Sequence, residues 1–117
     1  LRDRVQRAMS RHVAVVRDAE ALATAATEID NVLAAPMELD IAGRRGWETR
    51  NLALVARAIV AAATHRTESR GAHFRSDFPA TRPDWDGRHL ILGSGQAWQF
   101  ATLDAALPVA TEGGTAR

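Results

Sequence analysis

Five ionisable side chains fall within ten residues, Glu68, Arg70, His73, Arg75 and Asp77, and this is the densest concentration of potential chemistry in the chain. They sit in the run Thr67 to Pro79, interleaved with Phe74 and Phe78. A histidine acting as general acid or base needs a nucleophile or a substrate pocket within hydrogen-bond reach. No neighbour of His73 in the sequence supplies one, so a structural or interface role is expected for it. Arg66 and Arg70 continue an apolar helical stripe, where an arginine must either snorkel to water or find acceptors. A carboxylate anchor for Arg70 is expected, with Asp77 as a candidate, or carbonyls of a partner domain. His73 and His89 with Asp77, Asp84 and Asp86 between them match no metal-ligand spacing. Gly43-Arg44-Arg45-Gly46 and Gly93-Ser94-Gly95 lack the strand-glycine-helix setting of a phosphate loop. No catalytic, cofactor-binding or metal residue is therefore assigned to this chain.

The elements that must position these groups are mostly helical. Leu1, Val5, Ala8, Met9, His12 and Val13 recur at helical spacing and predict an amphipathic helix over the first dozen residues. A break is expected between Val15 and Asp18, with Asp18 as N-cap of a second helix and Glu20 in its first turn. Leu22, Ala25, Ala26, Ile29 and Leu33 form the apolar stripe of that helix, which Pro36 ends. Residues 36–46 read as a connector. A third helix is expected from Trp47 to Arg70, with Leu52, Val55, Ile59, Ala62 and Ala63 on one face and Gly71 closing it in the left-handed conformation. Arg88 to Leu92 and Gln96 to Thr102 read as short strands around a Gly93-Ser94-Gly95 turn.

The expected fold is mainly α: an antiparallel three-helix bundle with a small C-terminal β-hairpin extension. Residues 1–79 make the bundle and the signature segment, 80–110 a loop and hairpin packed on the same domain, and 111–117 a disordered tail. Trp85, in the loop, is expected to pin that loop to the bundle or to dock on another domain.

With 117 residues the chain is large enough to fold without staples, and with no cysteine it has neither disulfide nor thiolate metal site. A net charge of +1 beside a pI of 9.2 arises because every basic residue other than histidine is Arg and nothing titrates between His and Arg. Acidic residues are interleaved with the arginines, so no basic stripe points to nucleic acid. No apolar run approaches the length of a membrane span, and a cytoplasmic location is expected. The first residue is Leu rather than Met, which reads as a piece of something longer.

Asn51-Leu52 with Val55-Ala56, then Arg66, Glu68-Ser69-Arg70-Gly71-Ala72-His73, Arg75, Asp77-Phe78-Pro79, Trp85 and His89 form a specific pattern. In these residues the chain resembles the C-terminal helical domain of the flavoprotein group that contains L-aspartate oxidase and the flavoprotein subunits of succinate dehydrogenase and fumarate reductase. Met9 to Leu22 is similar to the family's first-to-second-helix junction, and Val15-Val16-Arg17-Asp18 looks more like L-aspartate oxidase than the respiratory subunits. The respiratory members carry a Phe-Arg-Thr type junction and a longer, lysine-containing C-terminal extension. After Pro79 the chain departs from the family, with Ala80-Thr81-Arg82-Pro83-Asp84 where a pair of aspartates is common.

The resemblance implies a parent enzyme that uses FAD to oxidise L-aspartate to iminoaspartate in de novo NAD biosynthesis. It implies that this segment is noncatalytic and packs on the FAD-binding and capping domains, with Arg66, Glu68, Arg70, His73, Arg75, Asp77 and Trp85 in interdomain or structural roles. FAD would be held by the parent and not by this chain. The isolated chain is expected to self-associate through an orphaned apolar face. The alternatives are the equivalent domain of a succinate dehydrogenase or fumarate reductase subunit, and a stand-alone helical interaction module.

Overall fold

The computed structural model describes residues 1–37, 43–92 and 100–104. Three helices and four short strands make up its regular structure. Helix α1 (Arg2–His12) carries Asp3 in its first turn and Arg11 and His12 in its last, each sign opposing the helix dipole at its end. Helix α2 (Ala19–Ala34) is capped by Asp18, whose Oδ1 accepts the Ala21 N–H at 2.8 Å. Helix α3 spans Arg44–His65.

The helices meet in one core. Val5 and Ala8 from α1, Leu22, Ala25, Ile29 and Val32 from α2, and Ala53, Ala56, Val60 and Ala63 from α3 are all buried in a single cluster that Val13 joins. Each helix packs on the other two. Alanines occupy many of the contact positions, and small side chains there permit a short interaxial distance.

The buried face of α3 is not the one its bulkier residues predict. Thr49, Ala53, Ala56, Val60 and Ala63 point inward, while Val55 and Ile59 are 59% and 43% exposed. Apolar side chains ring this helix, so periodicity alone leaves its orientation underdetermined. Packing chooses the small residues for the closely spaced core and turns Trp47, Leu54, Val55 and Ile59 outward.

The end of α3 also differs from expectation. It stops at His65, with Arg66 already extended, and does not run on to Arg70. Side chains from downstream take the last carbonyls: Arg75 Nη1 donates to Ala63 O at 3.3 Å and Thr64 O at 2.8 Å, and the His73 ring meets Arg66 O at 3.1 Å. These groups do what a C-cap glycine otherwise does. Gly71 serves instead in a tight turn whose flanking residues exchange backbone bonds, Arg70 N–H to His73 O at 2.8 Å and His73 N–H to Arg70 O at 3.0 Å. Its φ of +57° suits the first central position of such a turn.

That turn leads into a parallel pair that the sequence did not predict. Strand β1 (Val16–Arg17), between α1 and α2, pairs with β2 (Phe74–Arg75), Val16 opposite Phe74 and Arg17 opposite Arg75. Ser76 N–H to Arg17 O at 2.8 Å extends the junction. Beyond a 3-10 turn at Pro83–Trp85, β3 (Arg88–Leu92) pairs antiparallel with β4 (Phe100–Asp104). The first of these strands stands where the sequence places it; of the second, expected over Gln96 to Thr102, residues 100–102 fall within β4, and 96–99 lie outside the described residues. The expected Gly93-Ser94-Gly95 turn, Trp98 and the tail 111–117 lie outside the described residues. No helix among the described residues is long and apolar enough to cross a membrane.

Candidate functional site

Glu68 is the centre of the signature segment. Its side chain is fully buried, and a buried carboxylate is tolerated only when paired and hydrogen-bonded. Four donors surround it. Oε1 accepts from Arg66 Nη1 and from Arg70 Nε at 3.0 Å, and Oε2 from Arg70 Nη2 at 3.2 Å and the Arg82 N–H at 3.0 Å. Burial by itself raises the Glu68 pKa, but the bonds from Arg70, Arg82 and Arg66 outweigh it and lower the pKa to about 2.

The arginines reach further. Arg70 also donates to Asp86 Oδ1 at 2.6 Å and Arg82 O at 3.2 Å, and its bonds to Glu68 and Asp86 raise its pKa above the usual guanidinium value. The carboxylates anchoring Arg70 are thus Glu68 and Asp86, not Asp77. Once α3 ends at His65, Arg70 leaves the helical stripe and turns back over Glu68. Arg66 donates to Arg88 O at 2.9 Å and lies 4.8 Å from the Trp85 ring centre, a cation–π contact that ties the loop to the end of α3.

A second ion pair sits beside the first. Arg75 is 2% exposed and forks onto Asp77, Nε to Oδ1 at 3.0 Å and Nη2 to Oδ2 at 2.6 Å, besides capping α3. Asp77 Oδ2 also accepts the Ala19 N–H at 3.1 Å at the start of α2. The hydrogen bonds from Arg75 lower the Asp77 pKa. One arginine–aspartate pair therefore fastens the end of α3 to the beginning of α2.

His73 has a definite proton position. Nε2 faces the Arg66 carbonyl at 3.1 Å, which can only accept, so Nε2 carries the hydrogen. Nδ1 faces Arg17 Nη1 at 3.1 Å, which can only donate, so Nδ1 is bare. Burial lowers the His73 pKa; the bond to Arg66 O opposes this, and the nearby Arg17, Arg66 and Arg75 charges lower it further. The neutral ring is thus a spacer between two structural elements. Its only basic lone pair is taken by Arg17, which removes it from general-base work.

All seven residues singled out in the sequence fall in this region, and Asp86, Arg82, Ser69, Thr81 and Arg17 join them. Ser69 Oγ donates to Phe78 O at 2.8 Å and accepts the Arg75 N–H at 2.9 Å. Thr81 Oγ1 donates to Ser69 O at 2.6 Å, and Arg17 reaches the site from the α1–α2 junction. Ser69 and Arg17 stand within the family-like stretches without a chemical reason to single them out; Thr81 carried no signal. Among the described side chains no buried polar atom lacks a partner, and no group of three His, Cys, Asp or Glu residues could hold a metal. The arrangement fastens elements together.

Among the described residues neither parallel strand leads through a glycine-rich turn into a helix as a dinucleotide cradle requires: β1 runs into the Asp18 cap of α2 and β2 into Ser76.

Residues 2–105 match the family model described as "Fumarate reductase flavoprotein C-term". The L-aspartate oxidase of Rhodospirillum rubrum is 42% identical over 80 residues, which cover 68% of this chain and 26% of that protein. A fumarate reductase (CoM/CoB) subunit of Methanothermobacter marburgensis is 33% identical over 108 residues, 86% of this chain and 20% of that one. Among solved structures, the apo form of the Mycobacterium smegmatis Sdh1 complex superposes with a TM-score of 0.68 at 26% identity, covering 88% of this chain and 20% of that one. The chain spans about a fifth to a quarter of the length of these relatives. A mainly helical fold, the arginine–carboxylate signature and the family model agree: the chain belongs to the C-terminal domain of the succinate dehydrogenase and fumarate reductase flavoprotein family.

Proposed function

We propose that this chain is the C-terminal domain of a cytoplasmic, FAD-dependent L-aspartate oxidase, which converts L-aspartate to iminoaspartate for NAD biosynthesis. In this reading the three helices run up-down-up as an antiparallel bundle. The domain itself is noncatalytic and packs on the FAD-binding and capping domains.

The observation that carries the packing role is the contrast between the two sides of α3. The signature charges at its end are consumed within the domain, whereas Trp47, Leu54, Val55 and Ile59 leave an apolar face outward. Exposed apolar side chains grouped along one helix favour burial against another surface, which supports the packing role. Identity favours the oxidase branch: 42% to the Rhodospirillum rubrum L-aspartate oxidase and 38% to that of Mycobacterium tuberculosis, against 33% to the fumarate reductase subunit.

A respiratory-type flavoprotein subunit is the second reading. The fumarate reductase subunit matches a larger share of the chain, 86% against 68%, and the solved neighbour is an Sdh1 complex. Anaerobic titration of the full-length flavoprotein separates the two. Bleaching of the flavin absorbance by L-aspartate supports the oxidase, and bleaching by succinate but not aspartate assigns the respiratory reading.

A further inference from the structure

Arg17 differs from the arginines of the signature. Arg66, Arg70 and Arg75 each meet a carboxylate at hydrogen-bond distance. Arg17 meets none among the described residues. Its contacts are to neutral acceptors: Nε to Ala14 O at 3.1 Å and Val13 O at 3.3 Å, and Nη1 to His73 Nδ1 at 3.1 Å. These fix the guanidinium plane and leave Nη2 without a hydrogen bond among the described residues. Arg17 lines an open cleft of about 350 Å³ together with Arg66 and His89, with Ile59, Ala62 and Leu90 as its apolar wall. A half-buried, oriented cation beside apolar surface is a poor match for water alone and a good one for an anion with an apolar tail.

We propose that the Arg17 cleft binds a carboxylate carried on a short apolar chain, the carboxylate accepting from Arg17 and the chain covering Ile59 and Leu90. Such a group comes either from a small molecule in solution or from a glutamate side chain on a protein segment. The site requires only residues of this chain, and it shares Ile59 with the outward face of α3 that the proposed function uses for docking, so it is tested in the isolated chain.

The test follows the His73 imidazole by ¹H–¹⁵N NMR in the 117-residue chain at constant ionic strength, titrating acetate, butyrate and a blocked glutamate (N-acetyl, α-amide). His73 reports because its Nδ1 shares Arg17 with the ligand. Saturable shifts with a dissociation constant on the order of millimolar are expected, with butyrate several-fold tighter than acetate. Blocked glutamate binding tighter than butyrate assigns the protein-borne source, and the reverse assigns the free carboxylate. Arg17→Met should weaken every ligand at least tenfold. Because Arg17→Met could disturb the α1–α2 junction, Ile59→Ala provides an independent arm: it should keep acetate binding and lose the preference for butyrate. Linear shifts matched by sodium chloride, or a butyrate preference unchanged in Ile59→Ala, would overturn the proposal.

Discussion

Replacing Glu68 by Gln tests the buried anchor most severely, because the shape is kept and only charge and acceptor count change. The carboxylate accepts four hydrogen bonds, three from arginine side chains and one from the Arg82 backbone. A glutamine oxygen can keep two, and its amide NH₂ then faces two donors. Each bond to a charged group is worth about 1.5–3 kcal/mol, so losing two costs about 3–6 kcal/mol before relaxation. Arg66 and Arg70 are 20% and 39% exposed and recover part of this from water. The expected net loss is about 3 kcal/mol, which for a domain of this size lowers the melting midpoint by about 12 °C. Asp84→Asn breaks the Arg82–Asp84 pair, 46% and 53% exposed, and should cost no more than about 0.5 kcal/mol. Urea unfolding followed by circular dichroism at 222 nm compares the two. A Glu68→Gln loss below about 1 kcal/mol, or one equal to that of Asp84→Asn, would refute the claim that Glu68 anchors the segment.

Other outcomes are expected from the same geometry. Arg75→Ala should cost about 3 kcal/mol in the same unfolding assay, since it strands Asp77 and uncaps α3 together. Gly71→Ala should cost about 1–2 kcal/mol from its left-handed φ alone; a Cβ there would meet nothing within 4 Å, so a much larger loss would point to a different cause. Stability should fall in two steps on acidification. The folded state keeps His73 below its usual pKa, so its contribution is complete above about pH 6.5 and declines as pH falls below that. Glu68 and Asp77 are also held low, so their contribution is present above about pH 4 and is lost as pH falls toward about 2 for Glu68. His73→Gln should remove the upper step and leave the lower one, which unfolding free energies measured from pH 3 to 8 would show. The isolated chain should self-associate with rising concentration through the α3 face, and Val55→Glu should make it monomeric by sedimentation.

Where local physics decides, the sequence carried the structure. The Asp18 cap and the first two helices were legible because capping chemistry and apolar spacing act over a few residues. The orientation of α3 was not, since an alanine-rich surface gives no strong period and the choice of face belongs to α1 and α2. Gly71 misled for a related reason: glycine marks a left-handed φ without saying whether a helix or a turn needs it. The true helix end is set by Arg75 and His73, eight to ten residues beyond the last helical residue. The need of Arg70 for a carboxylate was readable from its place in the pattern. The identity of its partners was not, because Asp86 lies sixteen residues away across a loop. The β1–β2 pair joins two-residue strands far apart in the chain, too short for any alternation to register.

The central claim is that this domain docks on the flavin-bearing part of its parent protein through the outward face of α3. Titrating the chain into a preparation of that part, with Trp47 fluorescence as the signal, tests it most directly, since Trp47 is 45% exposed on the face in question. The account predicts saturable binding accompanied by a blue-shifted Trp47 emission, both lost in Val55→Glu. Binding that Val55→Glu leaves intact, or no binding at all, would contradict it.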